Sequence, residues 1–282
     1  GQTQQVEQAK APAEAASPSA VGGVSAALLA YGEKMKKILD HVIDQALDDH
    51  DQSAYIISLP QVKETFDNDI IDDELFTAML RERPEIVDMD VCDGGDIMVV
   101  LSHESIIAHD LSKMRVLTQD DVEIMYAKHI LFNHDEGGEK ADFSGCRLTN
   151  LDMRHMQLNG ADFTGALLEG VRMNDAGLCF CTFRDAKLVG CNLNGAIAEE
   201  SDFCGATFTE CKMRNGIFTH SNFAHTSFQD TDLWMSSFAS CCIENSSIMD
   251  TETEGVNLSG ASEDEESWVN DSGIRIGGMG GM

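Results

Sequence analysis

The sequence predicts a mainly β fold, a β-solenoid preceded by a small α+β domain and a capping helix. Three observations lead there. From Ala141 to Gly260 one five-residue phrase repeats twenty-four times without insertion or deletion. With Phe143 as the first centre, every fifth residue is large and apolar except Ala198 and Thr253, and the position two before each centre is small except at Leu151 and Met156. Two inward residues in five fit neither the 3.6-residue period of a helix nor the two-residue period of a strand, whereas a fixed period over a long stretch marks stacked repeats. The third observation is that this pattern is absent upstream, where helix and hairpin spacings take its place.

Taken in order, residues 1–24 are rich in Gln, Ala and Ser with no apolar period, and read as a flexible leader. A small α+β domain is expected over 25–117. It opens on an amphipathic helix, with Leu28, Met35, Ile38, Leu39, Val42, Ala46 and Leu47 at spacings of three and four, ending near Asp48. Tyr55 to Leu59 is a short apolar run stopped by Pro60. Helical stretches follow at Val62–Phe66 and Asp72–Arg83. Glu85–Val91 and Asp96–Leu101 alternate around Cys92-Asp93-Gly94-Gly95, a hairpin signal. Asp88, Asp90 and Asp93 do not form a calcium loop, because the twelfth position would be Val99 and not Glu. Over 118–140 a helix with Thr118 and Asp121 as a capping box leads through Gly137-Gly138 into the first repeat, placed to cover an open β edge. After the repeats at 141–260, residues 261–282 lose phase and read as a solvated acidic, Gly-Met-rich tail.

The phrases Ala141-Asp142-Phe143-Ser144-Gly145 and Ala161-Asp162-Phe163-Thr164-Gly165 resemble the pentapeptide-repeat family, whose unit is roughly Ala-Asp/Asn-Leu/Phe-x-x. The resemblance implies a right-handed quadrilateral β-helix with one pentapeptide per side, hence about six coils. A second period of twenty agrees with four sides. One side reads Phe143, Phe163, Phe183, Phe203, Phe223, Ile243, and another Met153, Met173, Leu193, Met213, Leu233, Thr253.

Net charge is −30, with 49 acids against 19 Lys and Arg. Direct nucleic-acid binding is not expected, since that affinity comes from Lys and Arg displacing counterions. A protein partner that is itself basic or DNA-binding fits the charge. No apolar run approaches the roughly 20 residues that span a bilayer, and we expect no membrane association and a cytoplasmic location. Five of the nine Cys (146, 181, 191, 211 and 241) fall on the small inward position, where a thiol acts as a small hydrophobe. Cys179 points outward and Cys181 inward, so the two do not share a metal. No phosphate loop, nucleophile elbow or His-Glu-x-x-His is present, and His103, Glu104, His109 and Asp110 stand as scattered surface groups. We therefore expect no catalytic residues, no cofactor, no metal and no enzyme activity.

Surface recognition remains. The Met-centred side carries Arg154, Arg172, Lys212, Arg214 and Trp234 outward, four of the seven basic residues of the repeats. Arg214 and Trp234 are twenty apart, a spacing that lets a guanidinium lie over an indole. These five are the candidate partner-binding residues of an interaction or scaffold module. The side with Ile197 and Ile217 is the less charged alternative. A second function follows from the resemblance, because some members mimic DNA and act on type II topoisomerases. Six coils span about 29 Å at about 4.8 Å each, a length in which duplex DNA places about 17 charges. The repeats hold 16 acids and 7 bases, a net of −9. Oligomeric state is left open.

Overall fold

The computed structural model describes residues 19–49, 54–66, 71–92, 94–262 and 268. The chain divides into two compact units between Ser112 and Lys113. The leader before Ser19, Asp93, and the tail apart from Ala261, Ser262 and Trp268 lie outside the described residues.

In the first unit α1 (Ser19–Asp48) begins earlier than the apolar period suggests and runs through Gly22-Gly23, although each Gly costs a helix about 1 kcal/mol relative to Ala. Its buried stripe of Met35, Ile38, Leu39, Val42, Ile43, Ala46 and Leu47 packs on a three-stranded sheet. That sheet is made of β1 (Ala54–Ser58), β2 (Ile86–Val91) and β3 (Asp96–Leu101) in the order β1-β3-β2, all antiparallel. Ile97, Val99 and Leu101 alternate inward from β3. Between β1 and β2 lie α2 (Leu59–Phe66) and α3 (Asp73–Arg81), the latter capped by Asp72, whose carboxylate accepts the Leu75 N–H at 2.8 Å. The expected hairpin forms as β2 and β3, with Gly94 and Gly95 at φ of +93° and +88°. The helix α4 (His103–Lys113) has no counterpart in the sequence reading. It buries no side chain completely and so leaves no apolar stripe to read.

The second unit opens with β4 (Arg115–Leu117), which lies parallel to β5 (Cys146–Thr149). Then comes α5 (Gln119–Asn133), with the Thr118–Asp121 capping box formed in both directions. From β5 a parallel ladder climbs in steps of twenty through β6 (Leu167–Glu169), β7 (Lys187–Val189), β8 (Thr207–Thr209), β9 (Ser227–Gln229) and β10 (Ser247–Met249). The other three sides are joined by single bridges at the same spacing, such as Asp142↔Asp162, Asp152↔Arg172 and Gln157↔Gly177. Four pentapeptides therefore close one coil. Six rungs on each side give five inter-coil steps.

Stacked rings fill the axis. Phe143, Phe163, Phe183, Phe203 and Phe223 lie 4.4–4.8 Å apart, centroid to centroid, within 15° of parallel. The small inward position turns out to have a chemical role as well as a steric one. There Cys181, Ser201, Ser221, Thr226 and Cys241 each donate to a centre carbonyl twenty-three residues earlier. A buried donor without a partner would cost about 1–3 kcal/mol, so these side chains are accepted because each finds the coil below. All twenty-four corner residues, two after each centre, have positive φ, from +46° to +82°. Nine are Gly and seven are Asn or Asp, the residues that tolerate this region.

The N-terminal edge of the first coil is closed on every side by a different device. On the second side β4 supplies a strand. On the third, the Gln119 amide imitates one, accepting from the Asp152 N–H at 2.8 Å and donating to its carbonyl at 2.9 Å. On the fourth, Tyr126 Oη accepts from the Gln157 N–H at 3.3 Å. On the first, buried His129 accepts from the Ala141 N–H through Nδ1 at 3.1 Å. The other end differs from the expectation of a wholly solvated tail. Trp268 is fully buried, edge-on to Phe228 and Phe238 at 5.5 and 5.0 Å. The sixth coil has Thr253 as a centre where earlier coils carry Met or Leu, and the indole packs at that end.

Candidate functional site

The five candidate residues occupy two parallel columns on the third side of the solenoid. Residues one before and one after a centre both point outward, because the backbone alternates. The first column reads Asp152, Arg172, Asn192, Lys212, Asp232, Glu252, bridged rung to rung, and the second reads Arg154, Asn174, Asn194, Arg214, Trp234, Glu254. Arg154 lies on the first coil, Arg172 on the second, Lys212 and Arg214 on the fourth and Trp234 on the fifth.

Two carboxylates organise the basic groups. Arg154 forks onto Asp152 through Nε and Nη2 at 2.8 and 2.7 Å, and Arg172 reaches the same carboxylate at 3.1 Å. The hydrogen bonds from Arg154 are the largest reason that Asp152 is held down to about 2, so it stays ionised well into acid. One carboxylate between two guanidiniums leaves a local excess of one positive charge. Beside it runs a shallow groove of about 590 Å³ bounded by Gln119, Glu123, Asn150 and His155. Two coils further on, Arg214 donates through Nε to Asp232, which also accepts the Trp234 N–H at 3.2 Å. The guanidinium thus goes to the carboxylate and not over the indole. Lys212 has no ion pair among the described residues. Trp234 stays 37 % exposed beside Met235 at 52 %.

The pentapeptide-repeats family matches residues 139–175 and 186–223 in eight copies. The second unit is a pentapeptide-repeat solenoid. Solved structures similar to the chain include Rfr23 of the cyanobacterium Cyanothece 51142, at 17 % identity over 33 % of this chain and 60 % of that one, TM-score 0.21. The match thus spans less than two thirds of Rfr23. Full-length QnrB1, a plasmid-mediated fluoroquinolone resistance protein, shows 18 % identity over 42 % of this chain and 82 % of its own, TM-score 0.19. HetL of Nostoc sp. strain PCC 7120 shows 18 % identity over 49 % and 73 %, TM-score 0.17. No curated protein matches.

The pentapeptide-repeat solenoid separates the five residues into two groups, Arg154 with Arg172 and Lys212 with Arg214 and Trp234. Gln119 of α5, which borders the first group, was missed by the sequence reading. It belongs to no repeat, and only its thirty-three-residue reach to Asp152 places it there. Met235 was missed because corner residues were not read as recognition groups. Burial pushes the Cys181 and Cys241 thiols up to about 12. Among the described residues no three His, Cys, Asp or Glu side chains converge on a metal position.

Proposed function

We propose that this chain is a non-enzymatic protein-interaction module whose pentapeptide-repeat solenoid presents its third side to a partner. The observation that carries this is the exposed Trp234–Met235 pair beside an Arg214 already fixed by Asp232. An anchor with an ordered charged neighbour loses little side-chain entropy on docking, and Trp and Arg are the side chains that most often dominate an interface. Affinity capture with the purified chain tests it. Trp234→Ala and Lys212→Glu should lose a partner that Arg184→Ala, on another side, retains. Recovery of every partner by Trp234→Ala would retire this face.

The second reading is a DNA-mimicking modulator of a DNA-binding enzyme such as a type II topoisomerase. It is favoured by the 16 acids spread over the coils and opposed by the basic cluster on the third side. A gyrase supercoiling assay separates the two, because inhibition or protection at micromolar protein supports mimicry and no effect removes it.

A further inference from the structure

Among the described residues, the first unit has a strand edge with no partner. In the sheet order β1-β3-β2, β1 has β3 on one side only. Cys92 N–H donates to the Asp96 carbonyl at 2.8 Å, which turns the backbone groups of Asp96, and of every second residue after it, toward β2. Ile97 and Val99 therefore face β1, opposite Ile57 and Tyr55. The N–H and C=O of Ile56 are left pointing outward, and no backbone or side-chain hydrogen bond reaches them among the described residues. Natural edges are usually blunted by charge, proline or a bulge. This one reads Ala-Tyr-Ile-Ile-Ser, and Ile56 is 63 % exposed.

A groove of about 350 Å³ follows this edge. All four of Tyr55–Ser58 line it. Alternating side chains on opposite faces of a sheet share a groove only when the groove runs along the strand margin. Its walls are α1, through His41 and Gln45, and α2, through Glu64 and Phe66, with the His41 and Phe66 rings edge to face at 5.2 Å. The lining holds one carboxylate and no Lys or Arg.

We propose that β1 binds an extended basic peptide of a partner protein by strand addition, with main-chain bonds at Ile56 and an apolar side chain seated by His41 and Phe66. Charge selects this occupant. The described residues of 19–112 carry 16 acids and 6 Lys or Arg, which attracts a basic segment, and a chain of net charge −30 repels a second copy of itself. Two walling helices admit one strand and not a second sheet.

The test uses the full chain and a fluorescein-labelled Lys-Val-Lys-Ile-Lys-Val peptide followed by anisotropy. Saturable binding is expected, at least ten-fold weaker for a peptide of equal charge N-methylated at alternate residues and for one with Glu in place of Lys. Ile56→Pro removes the outward N–H at an edge position where proline is accommodated, and should weaken binding to the same extent. Val91→Pro, on the opposite edge, should not. Equal binding of the N-methylated peptide, absence of binding, or loss with Val91→Pro but not Ile56→Pro would overturn the proposal. So would a dimer in sedimentation that Ile56→Pro splits, since a second copy would then own the edge. The N-methylated peptide decides the matter should Ile56→Pro fail to fold.

Discussion

Phe180 holds a corner of the second coil at φ +59° with its ring 62 % exposed. A side chain in the left-handed region costs roughly 1–2 kcal/mol, and glycine there escapes that cost at some loss of chain entropy in the unfolded state. Phe180→Gly should raise stability by about 0.5–1 kcal/mol, read as a higher urea midpoint at unchanged m. Gly216 is the converse case, since a Cβ there would stand 2.4 Å from the Phe218 ring. The small position is glycine in that repeat because the neighbouring ring occupies its space. His129 adds a pH response. Burial lowers its pKa, because the cation is disfavoured away from water, while the unfolded imidazole titrates near about 6.5. Protons then bind the unfolded chain more readily, so His129's contribution is complete above about pH 6.5 and is lost as pH falls through the lowered folded value. Denaturation midpoints should decline over that window in wild type and do so less steeply in His129→Gln.

At the scale of the element, the ends of the solenoid are where single substitutions have local effects. Stability in a stacked repeat is a sum of neighbour terms, so a lost end contact frays its own coil first. Gln119→Ala removes both hydrogen bonds to the Asp152 backbone and should cost about 1–3 kcal/mol. Hydrogen exchange should quicken at residues 141–160 and stay slow at 181–220. Trp268→Ala opens the other end over Phe228 and Phe238. Truncating a buried aromatic costs about 3–5 kcal/mol, and here faster exchange should appear at 241–260 with the first coil unchanged. Uniform acceleration along all coils in either variant would show that the solenoid opens as a unit.

For the whole molecule the dominant quantity is charge. At −30 the folded chain repels itself, and a Debye length of about 30 Å at 0.01 M falls to about 8 Å at 0.15 M. Raising NaCl over that range should increase the thermal midpoint, whereas a salt-independent midpoint would mean that the paired acids, such as Asp152 with its two arginines, already neutralise the important interactions. The same screening should weaken the proposed binding of a basic peptide at β1 more than that of any partner anchored on Trp234. Salt dependence therefore distinguishes the two surfaces.

The five-residue period by itself determined the stacked repeats and the inward or outward direction of each repeat residue, and the period of twenty agreed with the four sides that the family resemblance implied, because every repeat packs mainly on copies of itself twenty residues away. It thereby placed the five buried thiols and the columns of Arg154, Arg172, Lys212, Arg214 and Trp234. The capping box at Thr118 and the hairpin were also legible, being local signals only a few residues long. Tertiary structure alone decided that Gln119, Tyr126 and His129 close the first coil, that Trp268 closes the last, that Arg214 turns to Asp232, and that β1 pairs with β3 and leaves Ile56 facing outward. Apart from the Arg214–Asp232 pair, which is a side-chain choice on the exposed face of the repeats, each of these is one contact between segments without a shared period, settled by which polar group or apolar surface still needed a partner once the elements had packed.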